Sequence, residues 1–149
     1  LKPVVQVDAP KDADVVFNTG RGRQSNFDGP GGTLAWASMP DGSNRQLGVK
    51  LDEDERWNTN PSDRGFFVDA VVCHEIGHVL GLTHSKYRTA LMAPHYNPLV
   101  SVPQVLDDIP RVQARYGMSR TRAFSLTAQV PLQDALAAIE AAGYKVSRG

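Results

Sequence analysis

Residues 74–84 read His-Glu-Ile-Gly-His-Val-Leu-Gly-Leu-Thr-His, a run that makes chemical sense only on a helix with an abrupt end. On such a helix His74 and His78 project from one face about one turn apart, where two imidazoles can share an ion. Glu75 borders that face, and a carboxylate there can bind a water on the metal and take its proton. Gly81 reaches a left-handed conformation at no steric cost, so the chain can turn and return His84 as a third ligand. Three imidazoles leave a fourth position open, as a catalytic zinc site requires and a closed structural site does not. A bare His-Glu-x-x-His arises by chance in helices; the added glycine and third histidine separate this run from that background.

The chain has 149 residues, enough for one domain with a real core. Its 16 basic and 16 acidic residues cancel, which leaves no electrostatic reason to expect nucleic acid or a membrane as partner. No apolar run approaches the length of a membrane span, and no signal-peptide pattern opens the chain. Leu1 is not a start methionine, so the sequence reads as a mature or trimmed form. Cys73 has no second cysteine to pair with and directly precedes His74, about 100° around the helix from it. It reads as a small buried apolar residue rather than a regulatory thiol.

Short β-branched runs at 3–7 and 13–18, separated by Asp-Ala-Pro-Lys-Asp, predict two strands or one interrupted strand. Glycines at 20, 22, 29, 31 and 32 mark a long structured loop that runs into a strand at 33–38. Asp41-Gly42-Ser43-Asn44 is a turn, 47–51 a further strand and 58–65 a polar connection. The active helix is expected from Phe66 to Leu80, with Ser62 or Asp63 as cap and with Phe67, Val71, Val72, Ile76, Val79 and Leu80 covering the side away from the histidines. A second helix is expected over Asp108–Tyr116, with Asp107 as N-cap, Pro110 in the first turn and Gly117 as the stop.

The stretches Ala13-Asp14-Val15-Val16, Phe27-Asp28-Gly29-Pro30-Gly31-Gly32-Thr33-Leu34-Ala35, Leu51-Asp52-Glu53-Asp54-Glu55-Arg56-Trp57, the histidine run followed by Ser85, Ala90-Leu91-Met92-Ala93-Pro94-His95-Tyr96, and Asp107-Asp108-Ile109 through Tyr116-Gly117 resemble the matrixin family of metzincins. The resemblance covers about residues 5–117. It implies an α/β (α+β), zincin-like fold: a small twisted mixed sheet packed on the active-site helix, with a further helix after it, and an open zinc cleft beneath the sheet. Met92 would form the turn under the three histidines, while Pro94 and Tyr96 match the wall of the specificity pocket and Ala70 its floor. A small residue at Ala70 suggests a deep pocket for a bulky apolar side chain just after the scissile bond. The resemblance also implies a calcium site, with carboxylates from Asp28, Asp52 and Glu55 and carbonyls from Gly29, Gly31 and Thr33, the hard oxygen donors that calcium takes.

Two departures from the family pattern carry expectations of their own. The places of the family's second, structural zinc fall on Arg21, Arg23, Trp36 and Lys50, which supply no ordinary zinc ligand, so one catalytic zinc is expected, with a cation packed on the Trp36 face as a brace. The family's first strand and helix have no counterpart ahead of Leu1. Residues 118–149 instead carry an alternating run, Phe124 to Val130, then an amphipathic helix opened by Pro131 and closed by Gly143. The expected organisation is therefore a catalytic domain over 1–117 and an extension over 118–149 packed onto it. That extension reads either as a replacement for the missing pair, which makes the chain a circular permutant, or as a separate appendage.

The sequence is accordingly expected to encode a secreted, monomeric zinc endopeptidase that acts on peptide or protein substrates with Glu75 as general base. The alternative from another class is a scaffold that binds zinc or peptide without turnover.

Overall fold

The β-branched run after Asp14 forms strand β1, Val15–Gly20, which pairs in parallel with β3, Leu47–Asp52. A short strand β2, Ala35–Ala37, adds antiparallel to the other side of β3, giving the order β1-β3-β2. The computed structural model describes residues 10–43 and 45–117. The chain divides into two units, Leu1–Gly117 and Met118–Gly149, and every described residue belongs to the first. The strand expected at 3–7, Asn44 of the turn and the strand and helix expected within 118–149 lie outside the described residues.

The central strand β3 buries Val49 and Asp52 completely, as expected where a strand has neighbours on both sides and a helix against one face. That helix is α1, Val68–Val79, which packs against β2 and β3. A second helix, α2, spans Asp108–Tyr116. The architecture is α+β, a small mixed sheet packed on the helix that carries His74 and His78. Among the described residues no helix is long and apolar enough to cross a membrane.

Helix α1 begins later than the apolar periodicity suggests. Gly65 has φ +116°, and Phe66–Phe67 then form a short strand, β5, paired in parallel with β4, Trp57–Asn58. The Phe66 N–H donates to the Arg56 carbonyl, and the Phe66 ring lies between Trp57 and an edge-on Tyr96. Those pairings hold the segment extended, so Ser62 and Asp63 sit too far upstream to cap, and Phe67 occupies the N-cap position without a side-chain bond. The buried face also differs from the expected one. Ala70, Val71, Glu75 and Gly77 are enclosed, whereas Ile76 is 37% exposed.

The end of α1 follows the sequence closely. Gly81 has φ +81°; its N–H donates to the His78 carbonyl, and the Leu82 N–H donates to that of Gly77, the paired bonds of a Schellman cap. Helix α2 occupies its expected range and stops at Gly117 with φ +81°. Asp107 holds the N-cap position without capping; its carboxylate faces Arg111 instead.

Candidate active site and metal centre

Four-residue spacing on α1 and the turn at Gly81 bring His74, His78 and His84 together, with one ligating nitrogen from each inside a 4.8 Å span. The Nε2 atoms of His74 and His78 are 3.1 Å apart, and those of His78 and His84 are 3.2 Å apart. A tetrahedral site with metal–nitrogen lengths of about 2.0–2.1 Å has ligand–ligand edges of about 3.3 Å, so the spacing suits zinc. Tautomers point the same way. Nδ1 of His74 lies 2.7 Å from the Leu91 carbonyl and Nδ1 of His78 lies 2.8 Å from that of Leu82, so both Nδ1 atoms carry the proton and both Nε2 lone pairs face the shared space. Burial, with the neighbouring imidazoles, lowers the pKa of His74, and burial together with His78 and His95 lowers that of His84. Neutral imidazole is the form that binds metal.

Glu75 is buried beside this cluster, and its Oε2 has no hydrogen-bond partner. Loss of hydration raises its pKa from 4.5 to about 7. The same cleft, about 580 Å³, is lined by the three histidines, Glu75, Ala70, Pro94 and Tyr96, so the expected catalytic, ligating and pocket residues share one cavity. Within this lining Tyr96 is tied to β5, because its hydroxyl accepts the Phe67 N–H at 3.0 Å.

Met92 is 1% exposed and packs on Gly77, beside His78 on α1, so closely that any Cβ there would clash with its sulfur. Buried Asp108 holds this turn from below: its carboxylate accepts the N–H groups of Leu91, Met92 and Gln104. Neither Asp108 nor Gly77 stands out by residue type. A glycine in mid-helix is nonetheless a signal, since it costs about 1 kcal/mol against alanine unless packing requires it. The backbone acceptors at Leu82 and Leu91 leave no trace in residue identity.

The acidic loop is less tightly gathered. Asp28 accepts the Thr33 N–H and Glu55 accepts the Gly31 N–H, tying the carboxylates to the glycine-rich loop. The Thr33 bond, ahead of smaller contributions, lowers the Asp28 pKa. Asp52 is fully buried; its Oδ1 accepts the Asp54 N–H, while Oδ2 has no partner, the condition a hard cation would relieve. Among the described residues, however, the histidines form the one cluster of three ligating side chains, and Asp28, Asp52 and Glu55 are not drawn into a second.

Of Arg21, Arg23, Trp36 and Lys50, three have ordinary structural partners. Trp36 and Lys50 face each other across β2 and β3, and the Lys50 ammonium sits 5.5 Å from the Trp36 ring centroid, the cation brace expected there. Arg21 pairs with Glu53 and Asp54. Burial and the nearby Asp108 and Asp69 push the Cys73 thiol up, which keeps it protonated and unreactive at neutral pH.

The sequence profile of the family described as Matrixin matches residues 4–117. The chain is 44% identical over 110 residues to interstitial collagenase of Sus scrofa, covering 72% of this chain and 23% of that protein. It is 45% identical over 105 residues to matrix metalloproteinase-19 of Homo sapiens, covering 64% and 19%, and 41% identical over 93 residues to matrix metalloproteinase-26 of Homo sapiens, covering 61% and 34%. The chain thus spans about a fifth to a third of the length of these relatives.

Proposed function

The chain belongs to the matrixin family, and from that premise we propose that it is a zinc-dependent endopeptidase acting on extended peptide or protein substrates. The observation that carries the reading is the convergence of three Nε2 atoms, two with their tautomers fixed, beside a buried carboxylate that has an unpartnered oxygen.

His74, His78 and His84 would hold the zinc, with the Leu91 and Leu82 carbonyls orienting the first two rings. Bound there, zinc would supply Lewis acidity toward the scissile carbonyl and lower the pKa of water. Glu75 is not a ligand. It takes the proton of the attacking water and delivers it to the leaving amine, and its free Oε2 gives that proton a place to sit. Strand β2 pairs with β3 on one side, and its residues line the cleft, so an extended substrate adds as a further strand along the other side. The side chain after the scissile bond enters over Ala70, between Phe66 and the Pro94–Tyr96 wall, and a bulky apolar group suits that lining. Asp28, Asp52 and Glu55, with the carbonyls of Gly29, Gly31 and Thr33, would hold a calcium ion, which would tie the glycine-rich loop to the end of β3 and satisfy the unpartnered Asp52 Oδ2. The setting is extracellular, where loosely held calcium is available.

The test is elemental analysis of dialysed protein together with cleavage of an unstructured protein. One zinc per chain and zinc-dependent cleavage are expected, with Glu75→Ala keeping its zinc and losing about 10²–10⁴ in rate. Zinc-loaded wild-type protein that cuts nothing would favour a peptide-binding scaffold instead.

A further inference from the structure

Arg111, on α2, takes no part in the proposed chemistry, yet it touches the segment that delivers the third histidine. Its Nη2 donates to the Thr83 carbonyl at 2.6 Å and lies 3.1 Å from the Thr83 hydroxyl, while Nη1 faces Asp107 at 3.4 Å. Thr83 immediately precedes His84. His74 and His78 each have Nδ1 held by a backbone carbonyl, but among the described residues the His84 ring forms no such bond. Its direction depends on the backbone that carries it. That backbone is anchored on one side by the Leu82–Gly77 bond and on the other by the Ser85–Met92 bond, and Arg111 is the side chain that ties down the stretch between them.

We propose that Arg111 is a positioning residue for the metal centre, holding Thr83 so that the His84 Nε2 meets the other two; the proposal rests on His84 being a zinc ligand. The rest of α2 works to the same end. Tyr116 donates its hydroxyl to the Leu80 carbonyl, and Arg115 lies against Gly81, where a Cβ would come within 2.9 Å of its guanidinium. Arg111, Arg115 and Tyr116 thus meet residues 80–83 from one side. Cationic groups at the C-terminal end of α1 also complement its dipole. An outer contact that orients a ligand commonly carries 10–100-fold in metal affinity.

The experiment measures zinc affinity by competition with a chromophoric chelator, on the full chain. Arg111→Met keeps the aliphatic stem against α2 and removes the donors, and about 10–100-fold weaker zinc binding is expected. Arg111→Lys, which can still reach one acceptor, should recover part of the loss. Arg45→Met breaks a surface pair with Asp41 and should leave the affinity at the wild-type value. A purely structural role would lower the melting temperature of metal-free Arg111→Met without weakening its zinc binding. That result would overturn the proposal. If Arg111→Met does not fold, Arg111→Lys decides, and wild-type zinc affinity in that variant overturns the proposal. Failure of the wild-type chain to take up zinc would instead remove the metal-centre reading beneath it.

Discussion

Glu75 is a carboxyl group held out of water with one oxygen unpartnered, which suits a base and burdens the fold. Its pKa, raised by burial from 4.5 to about 7, gives the burden a sign. Below the unfolded value both states are protonated and nothing is lost; between 4.5 and about 7 the unfolded chain ionises first, so stability falls as pH rises, and the loss is complete above that window. A shift of that size corresponds to on the order of 3 kcal/mol. Metal-free Glu75→Gln should therefore melt above metal-free wild type at pH 8 and close to it at pH 4, as scanning calorimetry would read. Equal melting temperatures at pH 8 would show that Glu75 is hydrated. Gly77 makes the opposite case. Glycine to alanine in a helix ordinarily stabilises, but here the new methyl meets the Met92 sulfur, and a loss of about 1–3 kcal/mol is expected. Chemical denaturation of Gly77→Ala, Met92→Ala and the pair should show strong coupling, whereas additive effects would place the two residues out of contact.

At the scale of elements, sequence was most legible where punctuation and function coincide. Gly81 ends α1 and also turns the chain toward His84; Gly117 ends α2 as its position suggests. The start of α1 was not legible, because Phe66 and Phe67 fit a helical apolar stripe as well as a strand. The choice between them lies in partners 9 residues upstream and 29 downstream, Trp57–Asn58 and the Tyr96 hydroxyl. The support of the site was hidden for a similar reason. Carbonyls at Leu82 and Leu91 act through backbone position alone, and Asp108, next to the expected cap Asp107, shows no role of its own until its bonds to Leu91 and Met92 are traced. Gly81→Ala tests how far the cap matters. A left-handed residue with a Cβ costs about 1–2 kcal/mol, and this one also presses on Arg115. Denaturant titration should show at least that loss, and an unchanged midpoint would mean that α1 can end without the left-handed turn.

Across the whole described unit, the two metal expectations rest on different kinds of order. The histidines sit on a helix and a capped turn, which local sequence specifies, and their ligating nitrogens lie within 4.8 Å of one another. The carboxylates come from a glycine-rich loop and the end of β3, segments far apart in sequence, and they remain ungathered, with Asp52 Oδ2 buried and unpartnered and Asp28 turned to its own loop. A cation that binds the folded loop and not the unfolded chain stabilises the native state by mass action, by about 2.7 kcal/mol when its concentration is 100 times the dissociation constant. Calcium should therefore raise the melting temperature of zinc-loaded protein in a concentration-dependent way, with magnesium weaker because it dehydrates reluctantly. Asp52→Asn should abolish the calcium response: the amide keeps an oxygen that can accept the Asp54 N–H but no longer presents a charged, unpaired oxygen to the ion. A melting curve that does not move across a calcium titration would leave Asp52 as a buried acid with a structural cost and no cation to offset it.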